Sequence, residues 1–141
     1  MKEEKIILKP IGFVRSKYKE KVGEGYDYEY FRNLISEIVI FPQFVPGLLG
    51  IEREKYIYVL YWMHKVSEED EKVLQVHPRG ERNNPLTGVF VTRSPRRPNP
   101  IALCVVELLE KKENVLKVRG LDALDNSPVL DIKRFAPEYV P

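Results

Sequence analysis

The chain contains few of the residues that bind metals or form disulfides. Its 141 residues include one cysteine, Cys104, and two histidines, His64 and His77. A single cysteine excludes an intramolecular disulfide and a cysteine-cluster metal site, and it is typical of a reducing compartment. The spacing of the two histidines does not bring two ligands onto one face of an element. We therefore expect a cytoplasmic protein that binds no metal.

Long apolar runs and the common nucleotide-binding loops are also missing. The longest apolar stretch, Tyr56 to Met63, is far shorter than the roughly 20 residues of a membrane-spanning helix. The apolar run Ile6 to Leu8 is too short for the core of a signal peptide. Gly23 and Gly25 are followed by Tyr-Asp-Tyr rather than by a helix, so they do not form a dinucleotide-binding loop. The sequence predicts no membrane partner and no Rossmann-type nucleotide site.

The net charge of the chain is small, but positive charge is clustered in two segments. The formal net charge is only +2. Lysine and arginine nevertheless outnumber glutamate in two segments, residues 1–21 and 79–97. Clustered positive charge on an otherwise balanced surface is typical of a phosphate-binding surface. Composition therefore permits a nucleic-acid partner without requiring one.

Short segments rich in β-branched and aromatic residues alternate with turn residues along the chain, which is the pattern of a β-rich protein. A hairpin turn is expected at Lys112 to Asn114, and helix is expected only near residues 45–49 and 68–72. Strands are predicted at residues 11–14, 37–41, 56–63, 73–77, 88–91, 101–109, 115–120 and 128–132. Many short strands in a small chain predict one all-β domain over residues 1–141, an antiparallel sandwich or barrel.

The segment from Thr92 to Pro100, called the arginine loop below, has three arginines and three prolines in nine residues. Proline fixes φ and removes a backbone donor, and it keeps the preceding residue out of the helical region. The segment is therefore expected to be stiff and extended. Arginine side chains on such a frame suit phosphate, carboxylate or an aromatic face. We interpret the arginine loop as part of a binding site.

An acidic segment from Leu121 to Lys133 contains three aspartates. Asp125 begins a turn sequence, but Asp122 and Asp131 are flanked by large apolar residues, where a carboxylate must be paired or exposed at a cleft. A structural ion pair and a ligand-binding role are equally compatible with this pattern. A hydrolytic triad built from Ser94 or Cys104 has no supporting sequence around the nucleophile.

Three blocks of the chain together resemble the TrmO (TsaA-like) family. They are residues 88–101 with 105–108, residues 120–133, and residues 11–19, and the resemblance runs from about Pro10 to Phe135. Members of that family are S-adenosyl-L-methionine-dependent methyltransferases that modify N6 of threonylcarbamoyladenosine beside the tRNA anticodon. The resemblance implies a small β-barrel, a homodimer, S-adenosyl-L-methionine as cofactor and tRNA as partner, in the short single-domain form.

The resemblance also implies positions for the cofactor. The residues carried over are Met63, His64, Arg93, Leu103, Gly120, Leu121 and Asp122. The chain departs from the family pattern at Ala102 and Cys104, where members often have glycine and serine. The segment from Val22 to Tyr30 matches the family poorly, so the resemblance does not imply a cofactor contact there.

Methylation of this substrate requires the N6 proton to be removed, because a ureido nitrogen is a poor nucleophile while it holds its proton. Asp131 is the first protein candidate for the base and Asp122 the second; the substrate's own threonyl carboxylate is a further candidate. Asn99 is expected to orient the ureido carbonyl. Arg96, Arg97 and Lys133 are expected to bind the threonyl carboxylate or tRNA phosphates.

Two other functions fit the same sequence. The first is a non-catalytic RNA-binding barrel that stacks bases on tyrosines such as Tyr18, Tyr26 and Tyr28. It predicts tRNA binding without affinity for the cofactor. The second is a methyltransferase of the same family that acts on a small molecule. It predicts cofactor binding that does not depend on tRNA.

Overall fold

Six antiparallel strands form a closed barrel in the computed structural model, which describes residues 3–20 and 27–141. The strands in the described residues are β1 Gly12–Arg15, β2 Ile35–Ile40, β3 Tyr56–Trp62, β4 Gln75–Val76, β5 Thr87–Gly88, β6 Ile101–Lys112, β7 Val115–Arg119 and β8 Pro128–Arg134. The strand order around the barrel is β1-β2-β7-β6-β3-β8, and β8 closes it by pairing with β1. A separate two-stranded sheet joins β4 and β5.

The core of the barrel follows from alternation along the strands. In β3 the inward residues Ile57, Val59 and Tyr61 are buried, whereas Tyr56 is exposed on the outer face. Successive side chains of a strand point to opposite faces, so a run of aromatic and β-branched residues covers both the barrel interior and its outer wall. The predicted all-β class and barrel architecture are confirmed.

Helical structure is short in the described residues. Helix α1, Tyr28–Asn33, was not predicted, whereas α2, Glu68–Glu71, lies where a helical turn was expected. A 3₁₀ helix at Pro42–Leu48 overlaps the second expected helical segment, and a further 3₁₀ turn follows at Ile51–Arg53. No helix among the described residues has the length and apolar character needed to cross a membrane.

The prediction of a strand at residues 88–91 is wrong. Extended structure ends at Gly88, and Val89–Val91 form a 3₁₀ turn in which the Thr92 N–H donates to the Val89 carbonyl over 3.1 Å. Only Val89 is buried; Phe90 and Val91 are 78% and 81% exposed. Apolar character alone predicted a strand here, but the pairing of β5 with β4 ends at Gly88, and beyond it the Val89 N–H makes one backbone bond, to the Leu74 carbonyl. The strand predicted at 73–77 is similarly reduced to Gln75–Val76.

The strand register brings the distinctive sequence blocks to one end of the barrel. Strand β3 ends at Trp62, which pairs with Ile101 at the start of β6. Strand β7 ends at Arg119, which pairs with Ile35 at the start of β2. The ends of β1, β3 and β7 therefore lie beside the starts of β2, β6 and β8. This end, called the motif end below, receives the arginine loop and the loop that follows β7.

Candidate active site at the motif end

The Asp122 carboxylate lies at the motif end against two proton donors from the barrel wall. The Tyr61 hydroxyl of β3 donates to Asp122 Oδ1 over 2.7 Å. The Cys104 thiol of β6 donates to the Gly120 carbonyl over 3.3 Å and also interacts with the Asp122 side chain. Burial, followed by the Asp122 charge, raises the pKa of Cys104 to about 12. The thiol is therefore a neutral donor rather than a nucleophile.

The loop after β7 is positioned by its backbone. Gly120 has φ +99°, a left-handed conformation that favours glycine, and its N–H donates to the Leu34 carbonyl over 2.9 Å. The next side chain, Leu121, is completely buried, and so is Ala123. Asp122 lies between these two anchors and is only partly buried. Among the predicted cofactor residues of this loop, Leu121 can therefore offer only backbone groups and Asp122 offers a side chain, whereas the Gly120 N–H is bonded to Leu34 and its carbonyl accepts from Cys104.

The N-terminal block of the sequence is hydrogen-bonded to the acidic block. The Ser16 N–H donates to Asp125 Oδ1 over 2.9 Å, and the Asp125 N–H donates to the Tyr18 carbonyl over 2.7 Å. Burial raises the pKa of the Tyr18 hydroxyl, and the charge of Asp122 raises it further. Tyr18 is therefore a second tyrosine within electrostatic reach of the Asp122 carboxylate.

Met63 and His64 follow β3 directly and lie at the same end. The Met63 N–H donates to the Pro100 carbonyl over 2.8 Å, which ties the end of β3 to the end of the arginine loop. His64 Nδ1 is buried and has no hydrogen-bond partner among the described residues. Burial and the Lys65 charge lower the pKa of His64, while Asp125 opposes them. A neutral imidazole with an unpaired buried nitrogen is suited to a polar ligand.

The arginine loop is braced by its own side chains. Arg93 donates to the Leu103 carbonyl of β6. Arg97 Nη1 donates to the Thr92 carbonyl over 3.2 Å and to the Ser94 carbonyl over 2.9 Å. Arg96 instead lies on the surface, where its Nε is 3.0 Å from Asp70 Oδ1 of α2. The loop therefore has two arginines committed to backbone carbonyls and one in a solvent-exposed ion pair.

A family model matches nearly the whole barrel. The model is described as the tRNA-methyltransferase O N-terminal domain, and it matches residues 13–139. This chain belongs to the TrmO family. The resemblance inferred from the three sequence blocks is thereby confirmed.

Similar proteins agree with this assignment. An Archaeoglobus fulgidus protein named S-adenosyl-L-methionine-binding protein is 52% identical over 94% of this chain and 91% of its own length. A Mus musculus tRNA (adenine(37)-N6)-methyltransferase is 31% identical over 95% of this chain, which spans 32% of the mouse protein. A crystal structure of TrmO from Pseudomonas aeruginosa has a TM-score of 0.75 and 29% identity; this chain spans 58% of it.

Two residues predicted for the TrmO chemistry do not join the cluster around Asp122. Asp131 and Lys133 lie on β8, with Asp131 Oδ2 3.4 Å from Lys133 Nζ. Asp131 lines a cleft of about 630 Å³ together with Phe44 and Leu48, which belong to the segment after β2 at the opposite end of the barrel. Asn99 is exposed in the arginine loop, and its carbonyl accepts from the Ile101 N–H over 2.7 Å.

Sequence reasoning missed Tyr61 as a member of the site. The signal was present, because alternation along β3 places Tyr61 inward, and a buried tyrosine hydroxyl requires a partner. Tyr18 was assigned to base stacking in the RNA-binding alternative, but its half-buried ring already packs against Phe31 at 5.0 Å between centroids. Tyr26 and the rest of residues 21–26 lie outside the described residues. No group of three His, Cys, Asp or Glu within residues 3–20 and 27–141 is arranged to hold a metal ion.

Proposed function

We propose that this chain methylates N6 of threonylcarbamoyladenosine beside the tRNA anticodon. Its membership of a family of S-adenosyl-L-methionine-dependent methyltransferases is shown by the family match and the similar proteins. The observation that carries the finer proposal is the convergence of three separate family blocks at the motif end, where the Tyr61–Asp122 hydrogen bond of 2.7 Å joins the barrel wall to the acidic block. The tRNA substrate is supported by the name of the mouse relative.

The residues at the motif end fit S-adenosyl-L-methionine. The cofactor prediction is confirmed by two archaeal relatives that are named as S-adenosyl-L-methionine-binding or probable S-adenosyl-L-methionine-binding proteins. The polar groups of the cofactor match the unpaired buried nitrogen of His64 and the carboxylate of Asp122, and its aliphatic chain matches the half-buried Met63. When bound, the cofactor supplies a methyl group on a positively charged sulfur. The second lone pair of the Gly120 carbonyl and the backbone groups of Leu121 complete the proposed binding surface.

The chain's contribution to the reaction is then mainly binding and orientation. Alignment of the nitrogen with the methyl group, at ~3–3.5 Å, accounts for much of the rate in such a displacement. Asp122 is the carboxylate that accepts from the Tyr61 hydroxyl at the motif end, and we assign it to cofactor binding. Asp131 remains a predicted base that lies on the outer face of its own subunit. The substrate's threonyl carboxylate is the base we favour, because it is attached to the reacting group.

Basic residues around the motif end form the proposed tRNA-binding surface. Arg96 is exposed on the arginine loop, and Lys17 and Lys19 are exposed just after β1. Phosphate contacts from such residues hold an RNA in register without reading its sequence. Arg97 is expected to shape the arginine loop, because its Nη1 is already bonded to two carbonyls.

A homodimer is the assembly we propose, through the outer wall of β6. Leu103 and Val105 are 44% and 42% exposed on this wall, beside the exposed Ile101. Phe90 and Val91, just before the arginine loop, are exposed apolar residues as well. A row of outward aliphatic side chains on a regular strand is the kind of surface that a second copy of the chain covers.

The decisive experiment uses methyl-labelled S-adenosyl-L-methionine and two tRNA preparations that differ only in the threonylcarbamoyl group. We expect label on the modified tRNA and none on the unmodified one. Cofactor binding without transfer to either tRNA would favour a small-molecule substrate. Binding of tRNA without any binding of the cofactor would leave the non-catalytic RNA-binding barrel.

A further inference from the structure

Tyr61 is an inward-facing side chain whose hydroxyl reaches the motif end. Its ring continues the buried column formed by Ile57 and Val59 on β3, and the residue is only 5% exposed. A phenylalanine would fill that position equally well, so packing does not explain the hydroxyl. The hydroxyl has a defined partner, because it donates to Asp122 Oδ1 over 2.7 Å.

The Asp122 carboxylate accepts a hydrogen bond from a neutral donor of the barrel wall. The Tyr61 hydroxyl reaches it from β3, and the neutral thiol of Cys104, which donates to the Gly120 carbonyl, lies near it on the adjacent β6. Because its flanking residues Leu121 and Ala123 are buried in the barrel, the backbone at Asp122 is anchored as well. A neutral donor fixes the orientation of a carboxylate without cancelling its charge. A fixed carboxylate at a partly apolar site attracts a cation more strongly than a mobile one in water does.

We propose that Tyr61 is a positioning residue that fixes the Asp122 carboxylate and thereby gives the motif end its preference for a positively charged adenosyl ligand. This inference rests on the proposed function, since it concerns how the same site recognises its cofactor. The chemical class selected is an adenosine carrying a sulfonium or ammonium group. A neutral adenosyl thioether makes no use of the oriented carboxylate.

The role of Tyr61 is tested by measuring the affinity of the unliganded protein and its variants for two ligands by calorimetry. Tyr61→Phe removes the hydroxyl and keeps the ring; Tyr58→Phe is the matched control, because Tyr58 lies on the outer face of β3 against Phe135. The ligands are S-adenosyl-L-methionine and the neutral 5′-deoxy-5′-methylthioadenosine, which lacks both positive groups. Hydrogen bonds to charged groups contribute enough that losing one changes an affinity by about tenfold or more.

We expect Tyr61→Phe to weaken S-adenosyl-L-methionine binding by about tenfold and methylthioadenosine binding by about twofold at most. The control is expected to bind both ligands as the unaltered protein does. S-adenosylhomocysteine then identifies the cation: a loss shared with it assigns the ammonium group, and a loss confined to S-adenosyl-L-methionine assigns the sulfonium. Either result supports the inference.

Equal weakening of the charged and neutral ligands would overturn the inference, because it would reduce Tyr61 to a packing residue. Unchanged binding of both ligands would overturn it as well. These outcomes are distinct from a failure of the proposed function. In that case the unaltered protein would either fail to bind S-adenosyl-L-methionine or bind it without methylating the threonylcarbamoylated tRNA, whatever the variants did.

Discussion

Arg96 and Arg97 are adjacent in the sequence, and alanine substitution is expected to separate their roles. Both were predicted to bind the threonyl carboxylate or a phosphate. Arg97 is half-buried and donates through Nη1 to two carbonyls of its own loop, at 3.2 and 2.9 Å. Arg96 is exposed and makes one ion pair with Asp70, at 3.0 Å. The Arg97 side chain is expected to hold the arginine loop together, and the Arg96 side chain is expected to be available to RNA.

The magnitudes follow from these contacts. Hydrogen bonds from a charged donor contribute ~1.5–3 kcal/mol each when well buried, so the two half-buried bonds of Arg97 are expected to contribute about 2 kcal/mol together. A solvent-exposed ion pair contributes ~0–1 kcal/mol. Arg97→Ala should therefore lower the free energy of unfolding in urea by about 2 kcal/mol, and Arg96→Ala should leave it nearly unchanged.

The predicted role of Arg96 in RNA binding is tested by measuring tRNA affinity across a series of potassium chloride concentrations. Loss of one phosphate contact reduces the slope of log K against log salt by ~0.7–0.9. We expect that reduction for Arg96→Ala only, and Arg53→Ala, at the opposite end of the barrel, is the control for the same change of charge. A reduced slope with unaltered stability for Arg97→Ala would refute the reasoning, because Arg97 would then be a phosphate contact. An unchanged slope for Arg96→Ala would remove Arg96 from the RNA interface.

Three further substitutions test the dimer, the base and the buried thiol. Val105→Arg should convert a dimer into a monomer in light scattering, because it places a charge on the outer wall of β6; a dimer that persists would exclude that wall. Asp131→Asn should leave cofactor affinity unchanged in calorimetry and, if the substrate supplies the base, should keep kcat within a few-fold; loss of kcat alone would assign the base to Asp131. Folding raises the pKa of Cys104 to about 12, so the stability that this thiol contributes is present below its unfolded pKa and is lost as the pH rises from about 9 to 12. Cys104→Ser should therefore flatten the fall of stability with pH in urea titrations over pH 9–11, and an unchanged fall would contradict a buried neutral thiol.

Local patterns predict the barrel strands well because each strand carries its own alternation of buried and exposed residues. Strand β3 matches its prediction to within one residue, and β6 starts where expected at Ile101. Helix α1 was missed because its six residues are aromatic and charged without an apolar period, and it is ordered by the Asp27 cap and by ring contacts such as Phe31 with Tyr18. The Asp27 cap is a local signal, but the ring contacts come from another part of the chain, so no local pattern reports them.

The predicted cofactor residues came from the family resemblance, and the structure explains why their sequence spacing is so wide. Met63 and Gly120 lie at the ends of β3 and β7, which are separated by β6 in the barrel. Only the strand register brings those ends to one side. The sequence alone carried no information on that register, because antiparallel pairing in a barrel depends on all six strands closing together.

The placement of Asp131 depends on a single extra residue in β8. Alternation from the buried Val129 would point Asp131 into the barrel, where a carboxylate among leucine and isoleucine would be a natural catalytic candidate. The pairing of β3 with β8 shifts between Leu60 and Tyr61, so that Leu60 lies opposite Asp131 and Tyr61 lies opposite Val129. This bulge turns Asp131 to the outer face and leaves Asp122, on a loop held by Gly120, as the carboxylate that meets Tyr61 at the motif end. Asp122 and Asp131 have similar apolar neighbours in the sequence, but they differ in position because of a bulge that no residue pattern predicts.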